Sequence, residues 1–197
     1  MTYPITIRDA QPQDRDATAR VLTDALACCP AVTWAEPDPH ERQPLLQPYV
    51  TALLQNSCHV RVAQLGGRIV AAAIHTSRPG DGPDLRELAA VVRLTAAAQR
   101  LTQLDQAACR QRPTGRYQHL ACLAVSPHHQ NRGIGGRLMR DHETCVSATG
   151  LPVYLEAGSP RSRALCLRHG FTDYRSPVTA AGSPPLYPMW RPARSCP

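Results

Sequence analysis

One stretch limits the fold more than any other: Leu120-Ala121-Cys122-Leu123-Ala124-Val125-Ser126-Pro127-His128-His129-Gln130-Asn131-Arg132-Gly133-Ile134-Gly135-Gly136-Arg137. It reads as a strand, a short loop and then a helix N-terminus. The first turn of a helix leaves backbone N–H groups without partners and carries a partial positive charge. Glycines at 133, 135 and 136 remove Cβ atoms that would keep a phosphate from those amides. Arg132 and Arg137 add charge-assisted donors around the same point. The stretch therefore predicts a phosphate or pyrophosphate on the loop 130–135, the alternative being a helix start whose glycines serve packing.

Two better-known phosphate loops are excluded. A Rossmann fingerprint needs G-x-G-x-x-G after the first strand of a parallel unit, with a carboxylate about 20 residues later. Here the loop follows the fourth predicted strand, and the third glycine is wrongly spaced. A Walker loop needs a lysine, and the chain has none.

Element signals place this loop in a mixed α/β chain. Residues 5–8 alternate as a strand, and Ala17, Val21, Leu22, Ala25 and Leu26 share one helical face up to Pro30. Residues 30–43 are rich in proline and acid and read as a loop. Leu45, Leu46, Tyr49, Val50, Leu53 and Leu54 mark a second amphipathic helix, with Pro44 near its first turn. Two strand-like runs, 58–65 and 68–75, meet at Gly66-Gly67, a strong hairpin signal. After a Gly/Pro-rich loop at 78–83, Asp84 suits the cap of a long helix reaching about Cys109. Residues 118–125 are the most strand-like of all. A helix from Gly133 to about Ala148, a strand at 151–156, a short helix at 161–169, a strand at 171–174 and an edge strand at 186–191 complete the order. No repeat or linker interrupts it, so residues 1–197 are expected to form one domain.

The run Val125-Ser126-Pro127-His128-His129-Gln130-Asn131-Arg132-Gly133-Ile134-Gly135 resembles motif A of the GNAT N-acetyltransferase superfamily. The element order and the His169-Gly170-Phe171 ending fit the same superfamily. Within it the chain is most similar to puromycin N-acetyltransferase and its relatives, over residues 120–171 and including Leu155-Glu156, Pro160-Arg161 and Gly170-Phe171-Thr172. The resemblance implies a mixed, mostly antiparallel sheet of six or seven strands, flanked by helices and splayed between strands 4 and 5. It also implies acetyl-CoA as donor, CoA as product and the primary amine of a small molecule as acceptor, an antibiotic or secondary metabolite among the candidates. Acetylation of a protein or peptide N-terminus, and a non-catalytic CoA-binding module, are the rival readings.

Carried onto this sequence, the resemblance assigns the CoA pyrophosphate to Gln130, Asn131, Arg132, Gly133, Ile134, Gly135, Gly136 and Arg137. It assigns the pantetheine arm to the backbone of Leu123, Ala124 and Val125, one of whose amides would polarise the acetyl carbonyl. Attack by an amine needs a base, and the departing thiolate needs an acid. Much of the superfamily places a tyrosine acid where this chain has Cys166, a thiol able to donate a proton or simply to pack. Ser162 stands where an asparagine is common and keeps a hydroxyl for CoA. Glu156, at its strand end, is the candidate base, or else the partner of an arginine such as Arg161. His119 is the next candidate, because imidazole titrates in the right range, or else a satisfied strand histidine; Tyr117 and Tyr154 flank the same region as alternative acids, Tyr154 also as an acceptor contact. For the acceptor, Trp34 and Glu36, with Asp38 and Glu41, offer carboxylates beside an aromatic wall, or form an ordinary acidic loop.

Composition narrows the partners. The 197 residues carry a formal charge of +7, and all 22 basic residues are arginine. The arginines are dispersed, and two tryptophans and one phenylalanine leave little for base stacking, so a polyanionic small ligand is expected rather than nucleic acid. No apolar run approaches the roughly 18 residues of a membrane span, and no export signal is visible, so a cytoplasmic monomer or homodimer is expected. The eight cysteines lack any C-x-x-C pair and read as free, small buried residues, with no metal site.

Overall fold

The computed structural model describes residues 4–76, 95–147 and 149–193. Seven strands form one sheet: β1 (Ile5–Asp9), β2 (His59–Leu65), β3 (Arg68–Thr76), β4 (Gln118–Val125), β5 (Val153–Ala157), β6 (Thr172–Asp173) and β7 (Tyr187–Arg191). Their order is β1-β2-β3-β4-β5-β7-β6. Every pairing is antiparallel except β4 with β5, which is parallel. The helices are α1 (Arg15–Ala27), α2 (Pro30–Ala35), α3 (Pro39–Gln55), α4 (Ala96–Cys109), α5 (Ile134–Ser147) and α6 (Pro160–Arg168). Mixed α/β architecture, strand number and mostly antiparallel pairing agree with the expectation.

Side chains alternate across the strands, and each face of the sheet receives its own helices. On one face Leu22 of α1 and Val50 and Leu53 of α3 pack on Val62, Ala72, Ile74 and Ala124. On the other, Ile134, Leu138 and Met139 of α5 pack on Ala63, Ala71, Ala73, Leu120 and Leu155. Leu53 and Leu138 are fully buried, and such burial contributes about 1.5–3 kcal/mol per side chain. The small Ala71-Ala72-Ala73 run in β3 gives both helix layers a low surface. Gly66 and Gly67 turn the β2–β3 hairpin at φ 55° and 78°, the positive values that a type I′ turn needs.

Three expectations need correction. Residues 30–43 are mostly helical: Pro30 opens α2 and Pro39 opens α3, both in the first turn, where no N–H is required. Asp38 caps α3 by accepting from His40 N at 2.9 Å. Pro44 and Pro48 then lie inside α3 rather than near its start, so the His40 and Pro44 carbonyls lose their i+4 donors. The second correction concerns the final strands, because β6 is only two residues long. The third concerns the thiols, since Cys28, Cys58 and Cys109 are exposed and only Cys166 is buried among the six described free cysteines. The loop 78–83 and the Asp84 cap lie outside the described residues; the helix is seen from Ala96, where Thr95 Oγ1 accepts from Ala98 N at 3.2 Å.

What positions the site is the parting of β4 and β5. Their ladder holds only Gln118↔Val153 and His119↔Tyr154. From there β5 pairs with β7 along its whole length, while β4 stays with β3. The expected splay is present.

Candidate active site

Where the two strands diverge, a cavity of about 1070 Å³ opens. Its walls are residues 119–125 of β4, 155–157 of β5, Tyr49 and Leu53 of α3, the C-terminal half of α4, and Ser162, Leu165 and Cys166 of α6.

The loop before α5 lies at one side of this opening, and Gln130 lines it. The first intrahelical bond of α5 is Arg137 N to Gly133 O at 3.1 Å. The amides of residues 133–136 therefore have no intrahelical acceptor. Asn131 (φ 64°) and Gly133 (φ 74°) are left-handed, and such turns point successive N–H groups toward a common centre. Gln130 Nε2 donates to Val125 O at 3.1 Å and so ties the loop to the end of β4. Arg161 bonds the Asn131 side chain. Arg132 and Arg137 are exposed. An anion fits this cradle: helix amides without intrahelical acceptors and the helix dipole lie beside Arg132, Arg137 and Arg161, and Gln130 and Arg161 connect it to the cavity.

Two of the glycines serve packing, the alternative the sequence left open. A Cβ on Gly135 would lie 3.3 Å from Leu165 Cδ2 and 3.7 Å from Leu123 and Val125 side-chain atoms; one on Gly136 would meet His169 Nε2 at 3.5 Å. These two glycines let α5 sit close on α6 and the β4 end. Only Gly133 is required by backbone conformation, since a Cβ there would meet nothing within 4 Å. Ile134, placed with the CoA contacts by resemblance, is 1% exposed and belongs to the apolar core through its side chain.

Glu156 and His119 project from β5 and β4 on the face covered by α1 and α3, one on each side of the splay. Glu156 Oε2 lies 3.1 Å from His119 Nε2, and Glu156 Oε1 accepts from Arg112 Nε at 2.8 Å. Arg112 Nη2 reaches Asp105 Oδ1 at 3.5 Å. On the far side of the ring, His119 Nδ1 is 3.4 Å from Thr76 Oγ1. Burial opposes ionisation of Glu156, but the His119 hydrogen bond and the His119 and Arg112 charges outweigh it, holding the carboxyl down at about 2. The arginine partner expected for Glu156 exists, but it is Arg112, not Arg161.

The remaining candidates divide. Cys166 lines the cavity yet packs in the apolar core, and burial pushes its thiol up to about 11. Ser162 also lines the cavity, but its hydroxyl serves the α6 cap, 2.9 Å from both Ser159 Oγ and Ser159 O. Tyr154 is fully buried, its ring 5.8 Å from that of His119 and 5.6 Å from that of Tyr117. Trp34 and Glu36 are not among the residues lining the cavity; Glu36 Oε1 instead accepts from Asp38 N at 3.0 Å. Three lining residues escaped sequence reading: Tyr49, Asp105 and Arg112. Tyr49 reads as part of the apolar face of α3. Arg112 meets a carboxylate 44 residues away, and no local pattern announces such a contact.

A model of the acetyltransferase (GNAT) family matches residues 20–171. The chain belongs to this family. It is an N-acetyltransferase, of a fold that binds acetyl-CoA. Solved structures with the same fold include the histone acetyltransferase HPA2 and related acetyltransferase of Corynebacterium glutamicum, at 22% identity and a TM-score of 0.74 over 100% of this chain and 99% of that one. Arylalkylamine N-acetyltransferase 2 of Aedes aegypti matches at 14% identity and 0.64 over 95% and 98%. The PaiA N-acetyltransferase of Thermoplasma acidophilum, solved with coenzyme A, matches at 12% identity and 0.58 over 96% and 99%. Among the described residues of this acetyltransferase, no helix is long and apolar enough to cross a membrane.

Proposed function

We propose that this enzyme, acting as one domain, transfers acetyl from acetyl-CoA to the primary amine of a small molecule held between α3, α4 and the β4–β5 splay. The observation that carries the reading is the Glu156–His119 pair at 3.1 Å, standing in the wall of the cavity that also reaches Gln130, the first residue of the cradle loop. The amides of residues 133–136, with Arg132, Arg137 and Arg161, would hold the pyrophosphate. The backbone of residues 123–125, beyond the end of the β4–β5 ladder, would hold the pantetheine arm. When bound, acetyl-CoA supplies the acetyl thioester; the chain's own residues handle the protons.

An ammonium must lose a proton before its nitrogen can attack a carbonyl. Glu156 is ionised at every working pH and draws the cation in, but a carboxylate held at about 2 is too weak a base by itself. His119 supplies the basicity. His119, held to Glu156 through Nε2 at 3.1 Å and standing in the cavity wall, is the group that takes the proton. As the N–C bond forms the C–S bond breaks and CoA leaves as its thiolate, to be protonated by solvent; Cys166 remains a protonated thiol in the wall and contributes little to the rate. The puromycin N-acetyltransferase likeness and the Aedes enzyme's arylalkylamine acceptor both favour a small amine, and the former favours an antibiotic or secondary metabolite and a role in detoxification.

The test is release of free thiol from acetyl-CoA across a panel of small primary amines and short peptides. Turnover on at least one small amine, well above that on any peptide, is expected. Binding of CoA with no turnover on any member would overturn the proposal.

A further inference from the structure

We propose that Arg112 is a positioning residue for acetyl transfer: it fixes one oxygen of Glu156, leaves the other to His119, and ties both to Asp105 on α4. The inference rests on the reading of Glu156 and His119 given above. The local chain explains how Arg112 arrives there. Helix α4 ends in tight turns, with Gln111 N bonded to Ala108 O at 2.9 Å and Arg112 N to Cys109 O at 3.3 Å. Pro113 then prevents continuation, and the turn swings the Arg112 side chain over the cavity toward β5.

The guanidinium uses two different nitrogens on two carboxylates. Nε faces Glu156 Oε1 at 2.8 Å and Nη2 faces Asp105 Oδ1 at 3.5 Å. All three side chains line the cavity, with 18% of the Arg112 side chain and 12% of the Glu156 side chain exposed. A planar fork can set a carboxylate's direction where a single ammonium cannot.

Three variants test this, with the amine as varied substrate: Arg112→Gln, Arg112→Lys and Asp105→Asn. Arg112→Gln should lower kcat about 100-fold, the scale of a disturbed acid–base group. The acetyl-CoA KM should stay within about twofold, since the cradle at residues 130–136 is untouched. Removing the cation raises the Glu156 carboxyl, so the lower acid limb of kcat/KM, where Glu156 loses the charge that holds the ammonium, should climb by about one to three pH units. Arg112→Lys should restore the limb but not kcat, because it returns charge without the fork. Asp105→Asn should cost about three- to tenfold in kcat, and together with the lysine variant it keeps the test open if Arg112→Gln does not fold. A purely structural ion pair would leave kcat and the acid limb of folded protein unmoved, and that result overturns the proposal. Glu156→Gln in parallel separates the two ideas. Full activity there overturns the acceptor-pair reading itself, whereas its loss beside an unmoved Arg112→Gln overturns only the positioning role.

Discussion

Two buried polar clusters lie on opposite faces of the same sheet, and they are built on opposite principles. On the α3–α4 side, Glu156 is kept charged by His119 and Arg112. On the α5 side, His75 of β3 stacks on His142 of α5 with ring centroids 4.3 Å apart. There His75 Nδ1 and both His142 nitrogens have no hydrogen-bond partner among the described residues. Burial holds both rings neutral, lowering His75 to about 4 and His142 to about 2, with Arg61, His59 and Arg191 adding repulsion and Asp141 alone opposing it at His75. The partnered cluster faces a cavity; the unpartnered one faces core. A buried charge with partners is a working group, whereas a buried neutral imidazole is packing that acid can break.

The largest effect expected from this contrast is kinetic. His119→Gln and Glu156→Gln should each lower kcat/KM about 100-fold or more, and the double variant should be little worse than either alone, as for groups acting as a unit. His142→Leu should leave kcat/KM unchanged. Steady-state kinetics on the three single variants breaks the comparison if the core histidine matters as much as the pair.

Next in size is a stability effect with two separate onsets. An unfolded histidine titrates near 6.5, above both folded values, so the unfolded chain binds more protons below pH 6.5 and stability falls from there downward. Each ring contributes up to about 1.4 kcal/mol per pH unit. Glu156 has the opposite history: its folded value lies below the ordinary 4.5, so its contribution is intact at pH 5 and is lost only as pH falls from 4.5 toward about 2. Urea unfolding at pH 7 and pH 5 should show the histidine loss alone, and His142→Leu should remove about half of it. An undiminished slope in that variant would show that the pair is not responsible.

A smaller effect separates the glycines. Gly133→Ala forces a left-handed alanine, a strain of about 1 kcal/mol. It should raise the acetyl-CoA KM severalfold with kcat retained. Gly135→Ala acts instead through Leu165 and should show as a fall in melting temperature. The smallest effect is reserved for Cys166→Ala, expected to change kcat by less than about threefold because its thiol is a wall group. A loss of tenfold or more would make it the proton donor.

How much of this was legible in the sequence depended on the range of the interaction. The Gly66-Gly67 hairpin and the parting of β4 from β5 rest on local patterns or on a motif resemblance, and both are found in the structure. Residues 30–43 were misread because prolines that open helices look like prolines that break them. The packing of Gly135 and Gly136 could not be decided from sequence because the partners that crowd them, Leu165 and His169, lie in and just after another helix. Glu156 was visible as a strand-end carboxylate, but its partner was not, since Arg112 is brought to it only by the turn that ends α4. Tyr49 looked like core for the same reason: one face of α3 is both core and cavity wall.

The central claim is that the cradle and the acceptor pair are separate devices meeting in one cavity. Calorimetric titration of CoA into wild type and Glu156→Gln, with turnover of acetyl-CoA and a primary amine measured on the same samples, tests it most directly. Equal CoA affinity with turnover reduced about 100-fold or more is the predicted result. Turnover in Glu156→Gln equal to wild type would contradict it, as would loss of CoA binding in that variant.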